Sequence, residues 1–160
     1  MSAASYAADG KPTNAAKQAV GFSAGWITGS GVTYRRYSGN SYLEGTLFGL
    51  VSGSAKDSYL NIAFSMGHYL HRVPAQGKVP PIGLKILGGA DLVWERQTNE
   101  RDNLDMSYYG GGFALDIGNP GRAGLSVSIA LNYVLAFKGI GSPDFDWFGA
   151  RPAASIIYGW

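Results

Sequence analysis

The chain has 160 residues but no cysteine, few charges and no long apolar run, and each lack excludes a class of protein. Without cysteine there is neither a disulfide framework nor a thiolate metal site. Only 15% of the residues are charged, the net charge is +2, and Lys and Arg are scattered, so no basic stripe for nucleic acid exists. The best apolar stretch, residues 125–137, is 13 residues long, whereas a membrane-spanning helix needs about 20.

Glycine and aromatic residues are abundant instead, with 24 Gly, 10 Tyr, 7 Phe and 4 Trp. The length suits one domain. Low charge combined with much glycine and tyrosine is unusual for a soluble α/β enzyme and ordinary for a membrane barrel.

The clearest pattern is an alternation of side chains with a period of two over residues 124–137. One face carries large apolar residues from Leu125 to Phe137, and the other carries mostly Gly, Ser, Ala and Asn. That combination suits a strand with lipid outside and a narrow, hydrated interior. Similar or weaker alternation recurs at residues 19–26, 31–37, 42–51, 59–70, 82–96 and 104–117.

Turn-forming residues separate the segments at residues 28–30, 38–40, 53–57, 73–81, 98–103, 119–121 and 139–151. Seven connections predict an all-β, antiparallel, up-and-down transmembrane β-barrel of eight strands over residues 18–160. We predict that the barrel lies in the bacterial outer membrane. An even number of strands places both termini on one side of the membrane, which we predict to be the periplasmic side. Residues 1–17, Ala-rich and polar, are predicted to form a periplasmic tail or an arm that docks on another subunit.

The chain ends with Ile156, Tyr158 and Trp160 at alternate positions, in the manner of a closing strand. This ending and the repeated alternation resemble the small eight-stranded outer-membrane barrels, the superfamily of OmpA-like and OmpX-like barrels. The resemblance implies that these three residues form an assembly signal read by the barrel assembly machinery. It also implies a Gram-negative-type outer membrane, with lipid and lipopolysaccharide around the protein. It implies no single activity, because such barrels serve as anchors, adhesins, lipid-modifying enzymes and assembly subunits.

Several charged residues face inward in the predicted register, namely Arg35, Glu44, Lys85, Asp91 and Glu95. An eight-stranded barrel is just wide enough for side chains to fill it, so we expect these residues to pair across the lumen and fix the register. A path for protons or small ions is the alternative.

Aromatic residues lie towards the predicted strand ends, as expected for the girdle of a membrane barrel. The predicted girdle comprises Trp26, Tyr34, Trp94, Tyr158 and Trp160, with Tyr37, Tyr42, Tyr59 and Tyr69 at similar positions.

The last predicted outer loop, residues 142–148, carries three aromatic residues beside two carboxylates. Phe145, Trp147 and Phe148 are therefore candidate contacts for another outer-membrane or periplasmic protein. The alternative is that they fold over the barrel mouth or dip into the lipopolysaccharide layer.

His68 and His71 are the only histidines. Three residues apart on a strand, they are predicted to point to opposite faces, which disfavours a shared metal. We find no Ser, His and acid constellation beside the predicted outer loops, so no catalytic residue, metal or cofactor is predicted. The sequence favours a non-enzymatic barrel that anchors or stabilises an outer-membrane assembly or presents surface loops. An enzyme acting on lipid A or phospholipid, and a narrow channel for small solutes, remain the alternatives.

Overall fold

A computed structural model of the chain describes residues 17–51, 58–96, 104–118, 123–139 and 144–160. Eight antiparallel strands pair in chain order, and the last pairs with the first, so the sheet closes into a barrel. This confirms the predicted all-β, up-and-down topology. The strands are β1 Gln18–Ala24, β2 Gly31–Ser38, β3 Ser41–Val51, β4 Ser58–Val73, β5 Ile82–Arg96, β6 Leu104–Gly118, β7 Gly124–Lys138 and β8 Asp144–Gly159.

Some predicted features fall outside the described residues. These are the N-terminal tail or arm, apart from Lys17, and the three predicted turns at residues 53–57, 98–103 and 119–121. Among the described residues, no helix is long and apolar enough to cross a membrane.

Side chains alternate between the interior and the outer wall along the strands. In β7, Ser126, Ser128, Ala130 and Asn132 are buried, whereas the residues that alternate with them are exposed. Because eight strands enclose only enough space for side chains to fill, the small inward residues of β7 leave room for larger buried side chains from other strands, such as Arg35, Tyr69 and Lys85. The exposed residues of the outer wall are mainly large and apolar, and in β7 they are Leu125, Val127, Ile129, Leu131, Tyr133 and Leu135.

The two ends of the barrel differ. We call the end where β1 begins and β8 ends the terminal end, and the opposite end the loop end. β1 and β2 have only 7 and 8 residues, whereas each strand from β4 to β8 has 15 or 16. The wall is therefore low at the loop end of β1 and β2, and residues 25–30 between them fold into the barrel.

This segment, which we call the inserted loop, is packed tightly. Ile27 at its centre has 0% exposure and joins an apolar cluster that includes Leu87, Val93 and Val134. The backbone N–H of Ser30 donates to Asn61 Oδ1 at 2.9 Å. Gly89 on β5 leaves the space that the loop needs, since a Cβ there would lie 2.6 Å from the Ile27 carbonyl oxygen.

Two predictions of strand ends are wrong. β1 ends at Ala24, so Trp26 does not continue its alternation. β8 begins at Asp144, so the last connection is much shorter than the predicted loop of residues 139–151. The register between β7 and β8 shifts between Ala136 and Phe137, which pair with Trp147 and Phe145. This irregularity interrupts the alternation near the start of β8, which is why the pattern in the sequence did not predict it.

Candidate functional site

The interior of the terminal end is built around a buried ion pair between β2 and β3. Arg35 and Glu44 stand directly opposite each other in the register. The Nη2 and Nε atoms of Arg35 each lie 2.7 Å from Glu44 Oε2, and both side chains are almost fully buried. Glu44 Oε1 also accepts a hydrogen bond from Ser65 at 3.3 Å. Adjacent strands are thus joined by charge as well as by backbone hydrogen bonds.

A second buried pair joins β5 to β6. Lys85 Nζ lies 2.8 Å from Asp116 Oδ1 and donates to Oδ2 at 3.1 Å. Tyr69 on β4 donates its hydroxyl to the same carboxylate. Arg35 Nη1 lies 3.9 Å from Asp116 Oδ2 and links the two pairs, so we call Arg35, Glu44, Lys85 and Asp116 the inner network.

Sequence reasoning missed Asp116, although the signal was available. Leu115 and Ile117 carry the apolar face of β6, which puts the residue between them on the inner face. Arg35, Glu44 and Lys85 lie inward and paired. The remaining two residues of the predicted group, Asp91 and Glu95, lie towards the loop end and do not join the network.

Three tyrosines predicted for the girdle lie inside the barrel. Tyr37, Tyr42 and Tyr69 form one buried cluster, with the Tyr42 ring centroid 6.1 Å from each of the other two. Arg35 Cζ lies 4.1 Å from the Tyr42 centroid and Lys85 Nζ lies 4.9 Å from it, so the ring packs against both cations. The prediction failed because it considered only how close these tyrosines are to a strand end. It did not consider their positions in the alternation of inward and outward residues.

At the loop end the interior holds an open cavity of about 430 Å³. Asp91, with 3% exposure, accepts a hydrogen bond from Asn61 Nδ2 at 2.6 Å. Tyr108 stands directly opposite Asp91, and Tyr59 stands directly opposite Glu95. Glu95 is half-buried. Aromatic rings and carboxylates therefore share the wall of this loop-end cavity.

Trp26 also lies at the loop end, over the interior, and not on the outer wall as predicted. Its ring makes edge contacts with Tyr108, at 5.0 Å between centroids, and with Trp147, at 5.5 Å. Arg151 Cζ lies 4.3 Å from the Trp147 centroid. The reason is the inserted loop, which carries Trp26 inward.

The three candidate partner contacts were predicted to lie in a loop, but they lie on strand β8. Trp147 faces the interior, consistent with the alternative that it folds over the mouth. Phe145 and Phe148 are exposed, and the Phe145 ring lies 5.8 Å from Phe137. Only Phe145 and Phe148 are placed where an external partner would meet them.

The other predicted girdle residues and the three residues predicted to form an assembly signal lie on the outer wall. Tyr34 is exposed, and Trp94 is half-buried at an outward position between Val93 and Glu95. Ile156, Tyr158 and Trp160 are exposed, and Trp160 N–H donates to the Gln18 carbonyl at 3.1 Å.

The prediction that the two histidines point to opposite faces is wrong. The register of β4 against β5 shifts between Tyr69 and His71. As a result His68 pairs with Ile86 and His71 with Leu84, both outward residues, and both histidines are exposed. One inserted residue moves the rest of a strand to the other face.

His68 also belongs to a groove on the outer wall. Its Nδ1 lies 2.9 Å from the Ser41 hydroxyl oxygen on β3. Leu43, Met66 and Ile86 contribute apolar side chains to the groove, which has a volume of about 690 Å³, and Arg36 lies in its lining.

Within the described part of the chain, no group of three or more His, Asp or Glu residues could hold a metal ion. Searches with the chain found no matching protein family, no similar curated protein and no similar solved structure.

Proposed function

We propose that this chain is a bacterial outer-membrane β-barrel with a closed lumen, acting as a structural anchor or as a subunit of a membrane assembly. The observation that carries the proposal is its reversed polarity. Ionic and polar side chains of the inner network are buried, while Leu, Ile, Val and Phe cover the outside. A water-soluble barrel would place its apolar residues inward, whereas lipid surroundings favour the arrangement found here.

The size of the apolar band supports membrane insertion. With a rise of ~3.4 Å per residue and a typical tilt of ~40°, residues 125–137 of β7 span ~30 Å, about the thickness of the hydrocarbon core. Exposed aromatic residues lie near both ends of the barrel. Tyr158 and Trp160 are at the terminal end, and Tyr109 and Phe145, whose rings both contact that of the half-buried Phe137, are at the loop end.

The filled interior supports anchoring over conduction. The inner network occupies the terminal end, and Ile27 of the inserted loop packs into the apolar cluster beyond it. In this proposal membrane lipid and lipopolysaccharide surround the wall, and the barrel assembly machinery reads Ile156, Tyr158 and Trp160. The exposed Phe145 and Phe148 contact a partner protein.

Three measurements on the protein refolded into lipid bilayers test this proposal. We expect the protein to float with the vesicles and to migrate differently on a gel before and after boiling. We also expect no discrete current steps in planar bilayers. Recovery in the lipid-free fraction would contradict membrane insertion, and steady single-channel currents would contradict the closed lumen.

The partner contact needs a separate test. We expect Phe145→Ala with Phe148→Ala to release a protein that otherwise copurifies at fixed stoichiometry in mild detergent. Leu131→Ala, on the same wall but remote from the loop end, is the matched control. If no protein copurifies, or if the double variant retains it, this part of the proposal is wrong.

One observation favours a second candidate function, hydrolysis of lipid esters. The Ser41 and His68 pair lies beside the apolar groove, where an acyl chain would fit and Arg36 would meet a phosphate. Among the described residues, however, no carboxylate bonds to His68 to orient it. A fluorophosphonate probe should label Ser41 if this function exists, and Ser41→Ala should abolish labelling while Ser38→Ala retains it. Absence of labelling in the folded protein would exclude a nucleophilic Ser41.

A further inference from the structure

The loop-end cavity combines carboxylates with aromatic rings, as the terminal end does, but here they surround open space. Its lining includes Asp91, Glu95, Trp26, Tyr59 and Tyr108. Each carboxylate has a tyrosine as its directly opposed cross-strand neighbour. Such pairs have Cβ atoms about 4.5–5.5 Å apart, so a ligand that reaches one member of a pair also reaches the other.

Asp91 has no cationic partner in the part of the chain that the structure describes. It is as deeply buried as Glu44, yet among the described residues no Lys, Arg or His nitrogen lies within 4.0 Å of it, and its side-chain donor is the neutral amide of Asn61. Burying a carboxylate without a counter-charge is unfavourable. A cation that enters the cavity would supply the charge that Lys85 supplies to Asp116.

The rings specify what kind of cation fits. An ammonium or guanidinium group is attracted to an aromatic face within about 6 Å of the ring centroid. Arg151 shows that rings at this end already hold a cation, since its Cζ lies 4.3 Å from the Trp147 centroid and 5.5 Å from that of Trp26. The volume of about 430 Å³ suits a small molecule. A divalent metal would require more carboxylate ligands than the cavity provides.

We propose that the loop-end cavity binds a small organic cation, with its ammonium group on the Asp91 carboxylate and its alkyl substituents against Tyr108, Tyr59 and Trp26. Asn61 connects this site to the inserted loop, because it donates to Asp91 and accepts from the Ser30 backbone. Binding therefore also holds the inserted loop in place. The proposal does not depend on the anchoring function.

Calorimetric titration of the folded protein in a maltoside detergent tests the site, with choline as the probe and its uncharged isostere 3,3-dimethylbutan-1-ol as the matched ligand. We expect choline to bind at least about ten times more tightly than the isostere, equivalent to ~1.4 kcal/mol. Asp91→Asn should weaken choline binding by at least the same factor. Asp146→Asn is the control, since that carboxylate is already paired with Lys138 at 3.2 Å.

A second pair of variants protects the test against a folding defect in Asp91→Asn. Tyr108→Phe keeps the ring and should retain choline binding, whereas Tyr108→Leu should lose most of it. Equal affinity for choline and the isostere, no binding of either, or unchanged binding in Asp91→Asn would overturn the proposal.

Nanodiscs distinguish a free solute from a lipid headgroup as the source of the cation. If a headgroup fills the site, free choline should bind more weakly in phosphatidylcholine nanodiscs than in nanodiscs of digalactosyldiacylglycerol, a lipid with neither an ammonium group nor a net charge that would concentrate choline at the surface. If a solute fills it, the two affinities should agree. Choline binds in both cases, and the two results differ only in whether the natural ligand is a lipid headgroup or a free solute.

Discussion

The two ends of the barrel interior solve the same packing problem differently. At the terminal end, the carboxylates of Glu44 and Asp116 each face a buried cation, and tyrosine rings close the remaining space. At the loop end, the space is taken by Ile27 of the inserted loop, and Asp91 lines a cavity without a Lys, Arg or His nitrogen of the described residues within 4.0 Å.

This difference between the two ends indicates that the terminal end stabilises the barrel and that the loop end can bind a ligand. The inner network joins side chains of β2, β3, β5 and β6. Any shift of register between these strands would therefore leave a buried charge without its oppositely charged partner. The loop end depends on the packing of one short segment and leaves room beside it. We therefore expect substitutions at the terminal end to change stability and those around the cavity to change ligand binding.

The largest effect is expected for Asp116→Asn. The variant leaves Lys85 buried without an anion, and removing one partner of such a pair costs ~3–5 kcal/mol. Urea unfolding in vesicles, followed by tryptophan fluorescence, measures the change. Adding Lys85→Met should recover most of the loss, because the uncompensated charge is then gone. If the single variant is as stable as the parent, the inner network does not stabilise the barrel.

Ile27→Ala tests the inserted loop. Truncating a fully buried isoleucine leaves a cavity and should lower the free energy of unfolding by ~2–4 kcal/mol. Ile129→Ala on the outer wall is the control, and its loss should be smaller because lipid or detergent fills the gap. Equal losses at the two sites would show that the loop is not packed inside the barrel.

Asp91→Asn should change stability by less than ~1 kcal/mol. The substituted amide can still accept the hydrogen bond from Asn61, and no cation is left unpaired. The same urea titration compares it directly with Asp116→Asn. A loss as large as that of Asp116→Asn would contradict the distinction between the two ends.

The smallest effect is expected for Lys138→Ala. Its pair with Asp146 at 3.2 Å is largely exposed, and exposed pairs contribute ~0–1 kcal/mol. The same unfolding assay should detect almost no change in 0.15 M salt. A loss comparable to that of Asp116→Asn would mean that burial does not govern these ion pairs.

The strands were predictable because alternation is a local property. Residues 124–137 reveal the β7 pattern without any knowledge of their neighbours, and the same holds for the inward positions of Arg35, Glu44 and Lys85.

Features that depend on contacts between distant segments were not predictable. In the sequence, Trp26 continues the apolar alternation of β1. Only the space at Gly89 and the hydrogen bond from the Ser30 backbone to Asn61 show that residues 25–30 turn into the barrel. The shift after Tyr69 depends on pairing with β5, which no property of β4 alone reveals. In the first half of β8, Gly149 resembles a loop residue although it lies in the strand.

The central claim is that the outer wall of the barrel faces lipid and that its interior is closed. The chain has no cysteine, so single cysteines along β7 can carry a nitroxide label one at a time. Electron paramagnetic resonance in vesicles then reports the access of oxygen and of a polar nickel chelate. The account predicts high oxygen access at Val127, Ile129 and Leu131, and little access of either reagent at Ser128 and Ala130. Nickel access at the first three positions would contradict it.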